Sequence, residues 1–333
     1  MTASLTSAQR LALFERMLLM RRFEEEVISA AAAHKNIGRN HLYIGHEGVG
    51  GPALVQLGER DVTHSTHRNH GHMIARGVDP GKALAEIMGR IGGLCGGKGG
   101  TWHMTDPSKG FGSTSAMVGG SIGMSVGAGF ARKQQGSGVS VALFGDGVLD
   151  EGISYESLNY CSKFSLPVLF LCENNSQEGA HITSMLAAKR LTDVPASLDI
   201  ETHVVDGADT EAVHEVVREA LAKIRGDSRP VFIEAQLARW PGSHQMRPEY
   251  TTGVTDVALA WEEGRIAGDH AGWVRDHDPI RLYAGKLLSA GAATKDDILA
   301  IDARVKDQMA AARAYAEASP FPDASAALEH VFA

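Results

Sequence analysis

The chain has 333 residues and a formal charge of −8, which gives length for one large α/β domain with a sizeable core and no basic excess of the kind nucleic acid attracts. Its three cysteines, Cys95, Cys161 and Cys172, make neither a CxxC pair nor a metal-ligand spacing, which fits a reducing, cytoplasmic setting better than a disulfide framework. No basic start followed by an apolar run marks a signal peptide, and the long uncharged stretch at 111–131 holds too much Gly and Ser to argue for a membrane span.

Residues 8–34 place Leu11, Phe14, Leu18, Phe23, Val27 and Ile28 near a 3.6-residue interval, so an amphipathic helix is expected there. Within it, Arg21-Arg22-Phe23-Glu24 reads equally well as an exposed charge run. The word Ser65-Thr66-His67-Arg68-Asn69-His70-Gly71-His72 interleaves three histidines with an arginine. Without a Cys or carboxylate among them, zinc is the weaker reading. Residues 92–103 are glycine-dense and must form a loop, but they lack GxxxxGK[ST] order and no clear strand precedes them. From Ala116 to Gly123 the chain leads into a small-residue helix ending near Gln135, and a helix N-terminus suits phosphate.

The stretch 139–175 organises the rest. Residues 139–144 and 166–172 are apolar and strand-like, and 150–164 has helical spacing, so the two strands must lie parallel. The crossover brings Gly145-Asp146-Gly147 and Asn174-Asn175 to one carboxyl edge of the sheet, where open α/β sheets bind ligands. One Asp and one Asn beside a diphosphate make a sufficient Mg²⁺ site, although Asp-Gly after a strand is by itself commonly only a turn. Further on, 202–205 reads as a strand, 210–225 as an amphipathic helix and 230–236 as a buried strand. Residues 261–333 read as helical, with no linker to divide the chain, so one domain over 1–333 is expected.

GDG followed by NN one crossover later resembles the thiamine diphosphate motif. With EG-x-x-x-E-x-LN at Glu151–Asn159 and LPV at Leu166–Val168, the chain resembles the alpha subunit of the decarboxylating first component of 2-oxo acid dehydrogenase complexes, the acetoin branch nearest, over essentially its whole length. The resemblance implies a doubly wound, mostly parallel sheet with helices on both faces, holding thiamine diphosphate and Mg²⁺. It assigns the metal to Asp146, Asn175 and the carbonyl of Gln177, and the cofactor also to His67, Arg68, Val118, Gly119, Ile122, Gly145, Gly147 and Val148. It makes His70 and His244 the proton-handling residues and sets His103 near the mouth of the site.

Several positions depart from the family pattern. His46 stands where Gln commonly precedes Glu, Ser176-Gln177 replaces a Gly-Tyr-like pair, and His244 falls one place late. No word resembles the pyrimidine-binding domain with its ylid-forming glutamate. A beta subunit in an α₂β₂ heterotetramer is therefore expected, with a lipoyl-bearing acyltransferase to take the acyl group, and neither nucleic acid nor membrane as partner. The other readings are a split transketolase-like or decarboxylase subunit, and a nucleotide-binding protein, against which stands the lack of GxGxxG after a strand.

Overall fold

The computed structural model describes residues 5–34, 37–175, 186–242 and 255–329. Six parallel strands form one sheet in the order β2-β1-β3-β4-β6-β5. They are β1 (Val62–Ser65), β2 (Phe111–Thr114), β3 (Ser140–Gly145), β4 (Val168–Asn174), β5 (Glu201–Asp206) and β6 (Val231–Gln236). The helices are α1 (Ser7–Ala33), α2 (Glu47–Leu54), α3 (His70–Ala75), α4 (Pro80–Ile87), α5 (Gly120–Gln135), α6 (Gly152–Phe164), α7 (Asp193–Ala196), α8 (Thr210–Asp227), α9 (Ala271–Asp276), α10 (Pro279–Ser289) and α11 (Lys295–Ala318).

Strands buried on both faces must be apolar at every position, and β3, β4 and β6 nearly are. Val141, Leu143, Leu169, Leu171, Val231 and Ile233 join the core formed with α1, α2, α8, α10 and α11. The alternate residues Ala142, Phe144, Val168, Phe170, Cys172 and Phe232 pack with Ile122 of α5 and with Leu158 and Cys161 of α6 on the other side. The sheet is thus covered on both faces, the expected α/β arrangement.

Two expectations need correcting. Residues Leu166 and Pro167 belong to the connection before β4: Ser165 caps α6 in the left-handed region, and Pro167 has no N–H for the ladder, so pairing starts at Val168. The charged word in α1 is not an exposed run. Arg21, Arg22 and Glu24 are all buried. Arg21 donates from Nε to Glu47 Oε1 (2.6 Å) and from Nη2 to Asp278 Oδ1 (2.9 Å), while Arg22 donates from Nη2 to Asp302 Oδ1 (2.6 Å).

From β1 the chain passes to β2 on one side, then crosses back to β3 on the other. Loops leaving the carboxyl ends of β1 and β3 therefore diverge and leave a crevice between them. Such a switch point is where ligands bind in doubly wound sheets.

Candidate active site

That crevice is lined by Thr66, His67 and Arg68 after β1, by Gly145–Val148 after β3, and by Glu173 and Asn175 at the end of β4. Val118 before α5 and Arg239 after β6 complete a cleft of about 280 Å³. Asp146 and Asn175, the two groups expected to hold a metal, thus face one space. Of the other expected cofactor residues, His67, Arg68, Val118, Gly145, Gly147 and Val148 line the cleft. Gly119 caps α5 with φ +85°, a conformation open to glycine, and Ile122 is fully buried beneath that helix. Gln177 and His244 lie outside the described residues.

The electrostatics favour an anion. Arg68 is buried, donates from Nη1 to the Leu42 carbonyl, and is pushed down to about 10 by burial and then by the neighbouring charge of Arg239. An anion between the two guanidiniums would offset both effects. His67 is held down at about 4 and His41, whose ring lies 4.4 Å from it, at about 3, in both cases by burial first and then by Arg68. Both imidazoles are neutral at physiological pH and offer a lone pair to a hydrogen-bond donor.

The cleft wall also holds a carboxylate that sequence reasoning missed, Glu173. Burial alone would raise Glu173, but His72, His46 and the Tyr43 hydroxyl outweigh it and hold the group below the ordinary glutamate value. His72 Nε2 lies 3.2 Å from Glu173 Oε1, and Ser65 Oγ pairs with His72 Nδ1 at 2.8 Å, while Tyr43 donates its hydroxyl to the same carboxylate oxygen. A charged residue inside an otherwise apolar, fully buried strand was the available signal. Arg239 was also missed; it is a cation just past a strand's carboxyl end.

His70 stands apart from the cleft lining. It is buried with Nδ1 3.1 Å from Glu24 Oε2 and Nε2 2.7 Å from Thr101 Oγ1, so both ring nitrogens are engaged. The glycine-dense loop proves not to offer its N–H groups to phosphate. Cys95 (2.7 Å) and Gly97 (3.0 Å) donate to Glu86 Oε2, and Gly99 (2.7 Å) and Gly100 (3.1 Å) to Oε1, so the protein's own carboxylate fills the nest. His103 is exposed and lines a separate cavity of about 420 Å³ beside this loop.

The family model described as the dehydrogenase E1 component matches residues 15–325. The chain belongs to the dehydrogenase E1 component family. It is similar to the pyruvate dehydrogenase E1 component subunit alpha of Rhizobium meliloti, at 34% identity over 94% of this chain and 86% of that one. It is also similar to the acetoin:2,6-dichlorophenolindophenol oxidoreductase alpha subunits of Bacillus subtilis, at 33% over 99% and 95%, and of Cupriavidus necator, at 32% over 97% and 93%. Membership of this family of E1 oxidoreductases, read from the GDG and NN words, therefore stands.

Proposed function

We propose that this chain is the alpha subunit of a thiamine diphosphate-dependent dehydrogenase acting on a 2-oxo acid or acetoin, and that it holds the diphosphate and Mg²⁺ end of the cofactor. The observation that carries this reading is the convergence of Asp146 and Asn175 on one switch-point cleft with Arg68, Arg239 and His67. A carboxylate and an amide supply hard oxygens for Mg²⁺, and the arginines supply forks for phosphate. The donor set fits.

Thiamine diphosphate, when bound, supplies the carbanion chemistry for cleaving a bond next to a carbonyl. This chain's residues bind, orient and handle protons around it. Asp146 and Asn175 hold the metal, while Arg68 and Arg239 neutralise the diphosphate. His67, on the cleft wall with His41 against it, stays neutral and can accept or donate a hydrogen bond there. His70 is not on the cleft wall: its Nε2 pairs with the Thr101 hydroxyl, which lines the separate cavity beside the glycine-dense loop.

A cleft of about 280 Å³ is at the small end of ligand pockets and takes the charged end of such a cofactor, not all of it. Val118 in its lining and the adjacent Met117 are apolar and 45% and 75% exposed. Both features support a beta subunit closing over the cleft; an α₂β₂ assembly and a lipoyl-bearing acyltransferase as acceptor complete the proposed arrangement. Relatives named for pyruvate and for acetoin are about equally similar, so the substrate is kept at that class. The unpaired Cys95, Cys161 and Cys172 support the cytoplasm as the site of action.

Calorimetry tests the reading directly. Thiamine diphosphate with Mg²⁺ should bind the co-purified subunits, and Asp146→Ala should weaken that binding at least ten-fold while leaving the unfolding midpoint near wild type. Binding of NAD instead, or an Asp146→Ala protein that binds as wild type does, would overturn it.

A further inference from the structure

An asparagine amide is nearly symmetric in shape but not in chemistry. Its oxygen can ligate a cation, and its nitrogen cannot. A metal site built on Asn175 therefore needs something that tells the two ends apart, and the structure contains such a group. Asn175 Nδ2 lies 2.9 Å from His46 Nε2, and with the neutral His46 carrying its proton on Nδ1 the imidazole accepts from the amide, which commits the nitrogen and leaves Oδ1 as the atom offered to the cleft that Asn175 lines.

We propose that His46 is a positioning residue that fixes the orientation of the Asn175 amide, a role that rests on the metal-binding reading given above. His46 suits this because it is itself immobile. It stands at the start of α2, fully buried, with its ring 5.0 Å from that of Tyr43. Tyr43 is wedged in turn: a Cβ at Gly71 would come within 2.1 Å of its ring and one at Gly50 within 2.3 Å of its hydroxyl, so both neighbours must be glycine for the ring to fit. Its hydroxyl is anchored on Glu173, one strand residue before Asn174. The route from α2 to the metal ligand is thus Tyr43, His46, Asn175, all held by packing. Glutamine, which the resembled family commonly carries at this place, could also accept the amide N–H through its side-chain oxygen. Its replacement by His46 keeps an acceptor where one is required.

The test is a double-mutant cycle read as Mg²⁺ affinity, by calorimetry in the presence of thiamine diphosphate, on the chain co-purified with its partner subunit. His46→Phe keeps a ring against Tyr43 and removes the lone pair; His46→Leu gives the same readout if the larger ring is not accepted. Either should lower Mg²⁺ affinity roughly ten-fold, the usual scale for a residue that orients a metal ligand, and His46→Gln should restore most of it. In an Asn175→Asp background both side-chain ends are oxygen and orientation no longer matters, so His46→Phe should change affinity less than about two-fold. An unchanged affinity in the Asn175 protein, or an equal loss in both backgrounds, overturns the proposal. The two levels separate cleanly: if Asp146→Ala leaves Mg²⁺ binding intact, the metal reading itself fails and takes this one with it, whereas a normal Asp146→Ala loss beside a silent His46→Phe removes only the orienting role.

Discussion

Glu86 shows how one residue can change the meaning of a whole sequence word. Four backbone N–H groups from Cys95 to Gly100 converge on its two oxygens, and the carboxylate is fully buried. Loss of that anion leaves four donors facing each other in a turn where Gly97, at φ +79°, already sits within 2.7 Å of the Gly89 backbone at its Cβ position. Hydrogen bonds to a charged group contribute about 1.5–3 kcal/mol each, and not all four would be lost in full once water entered. Glu86→Ala should therefore cost about 3 kcal/mol or more in urea unfolding and open residues 92–103 to limited proteolysis. Cleavage there at the wild-type rate, with an unchanged midpoint, would show that the loop is held by something else. No sequence pattern announced this arrangement, because the carboxylate lies in α4 and the donors in the loop that follows, with no fixed spacing that a motif could encode.

At the level of elements, α1 is fastened to the rest of the molecule by ions as well as by its apolar stripe. Arg21 forks onto Glu47 at the start of α2 and onto Asp278, the cap of α10, with all three side chains 0–4% exposed. A buried charge stripped of its partner is far costlier than the intact pair is favourable. Arg21→Ala leaves Glu47 and Asp278 side by side without their cation, so a loss of about 3–5 kcal/mol is expected, while Arg21→Met with Glu47→Gln and Asp278→Asn together should recover part of it. A denaturant midpoint unchanged in Arg21→Ala would place this cluster among ornamental pairs. Elements with long, clean periods were legible: α1, α8 and strands β3, β4, β5 and β6 fall within about two residues of their expected bounds, and α5 ends at Gln135 as expected. Strands β1, VTHS, and β2, FGST, were not. Each has four residues, too few to show alternation, and some of their polar side chains look outward for tertiary partners, as Ser65 does on His72 and His64 on Ser113. The site was half legible for the same reason. The GDG and NN words and Thr66-His67-Arg68 could be seen in the sequence to supply residues that line the cleft, whereas Glu173, Arg239 and the contact of His46 with Asn175 depend on which elements meet in space.

For the molecule as a whole, the carboxyl edge of the sheet gathers histidines that fold in the neutral state. His41 and His46 are held at about 3 and His64 and His67 at about 4, with burial the largest cause in each case. In the unfolded chain each would take its proton near 6.5. Between the two values the unfolded state binds more protons than the folded one, so acidification in that window favours unfolding; above about 6.5 these groups contribute no pH dependence. Carboxylates held low, such as Glu173, add their effect only below about 4.5, because their stabilisation is present above that unfolded value and is lost as pH falls through the folded one, so between about 6.5 and 4.5 the histidines act without them. The two contributions can therefore be separated along one pH series. From pH about 7 to about 5 the urea midpoint should fall, at up to about 1.4 kcal/mol per pH unit for each histidine fully within its window. His64 is the residue to remove, since it lies beneath the sheet edge against Gly112 and does not line the cleft. His64→Gln should flatten the slope between pH about 6.5 and 5 and leave the steeper fall below about 4.5 in place. A wild-type midpoint that stays level or rises on acidification to pH 5 would mean that these rings take up protons in the folded protein, and the neutral histidine edge on which the cleft's electrostatics depend would have to be abandoned.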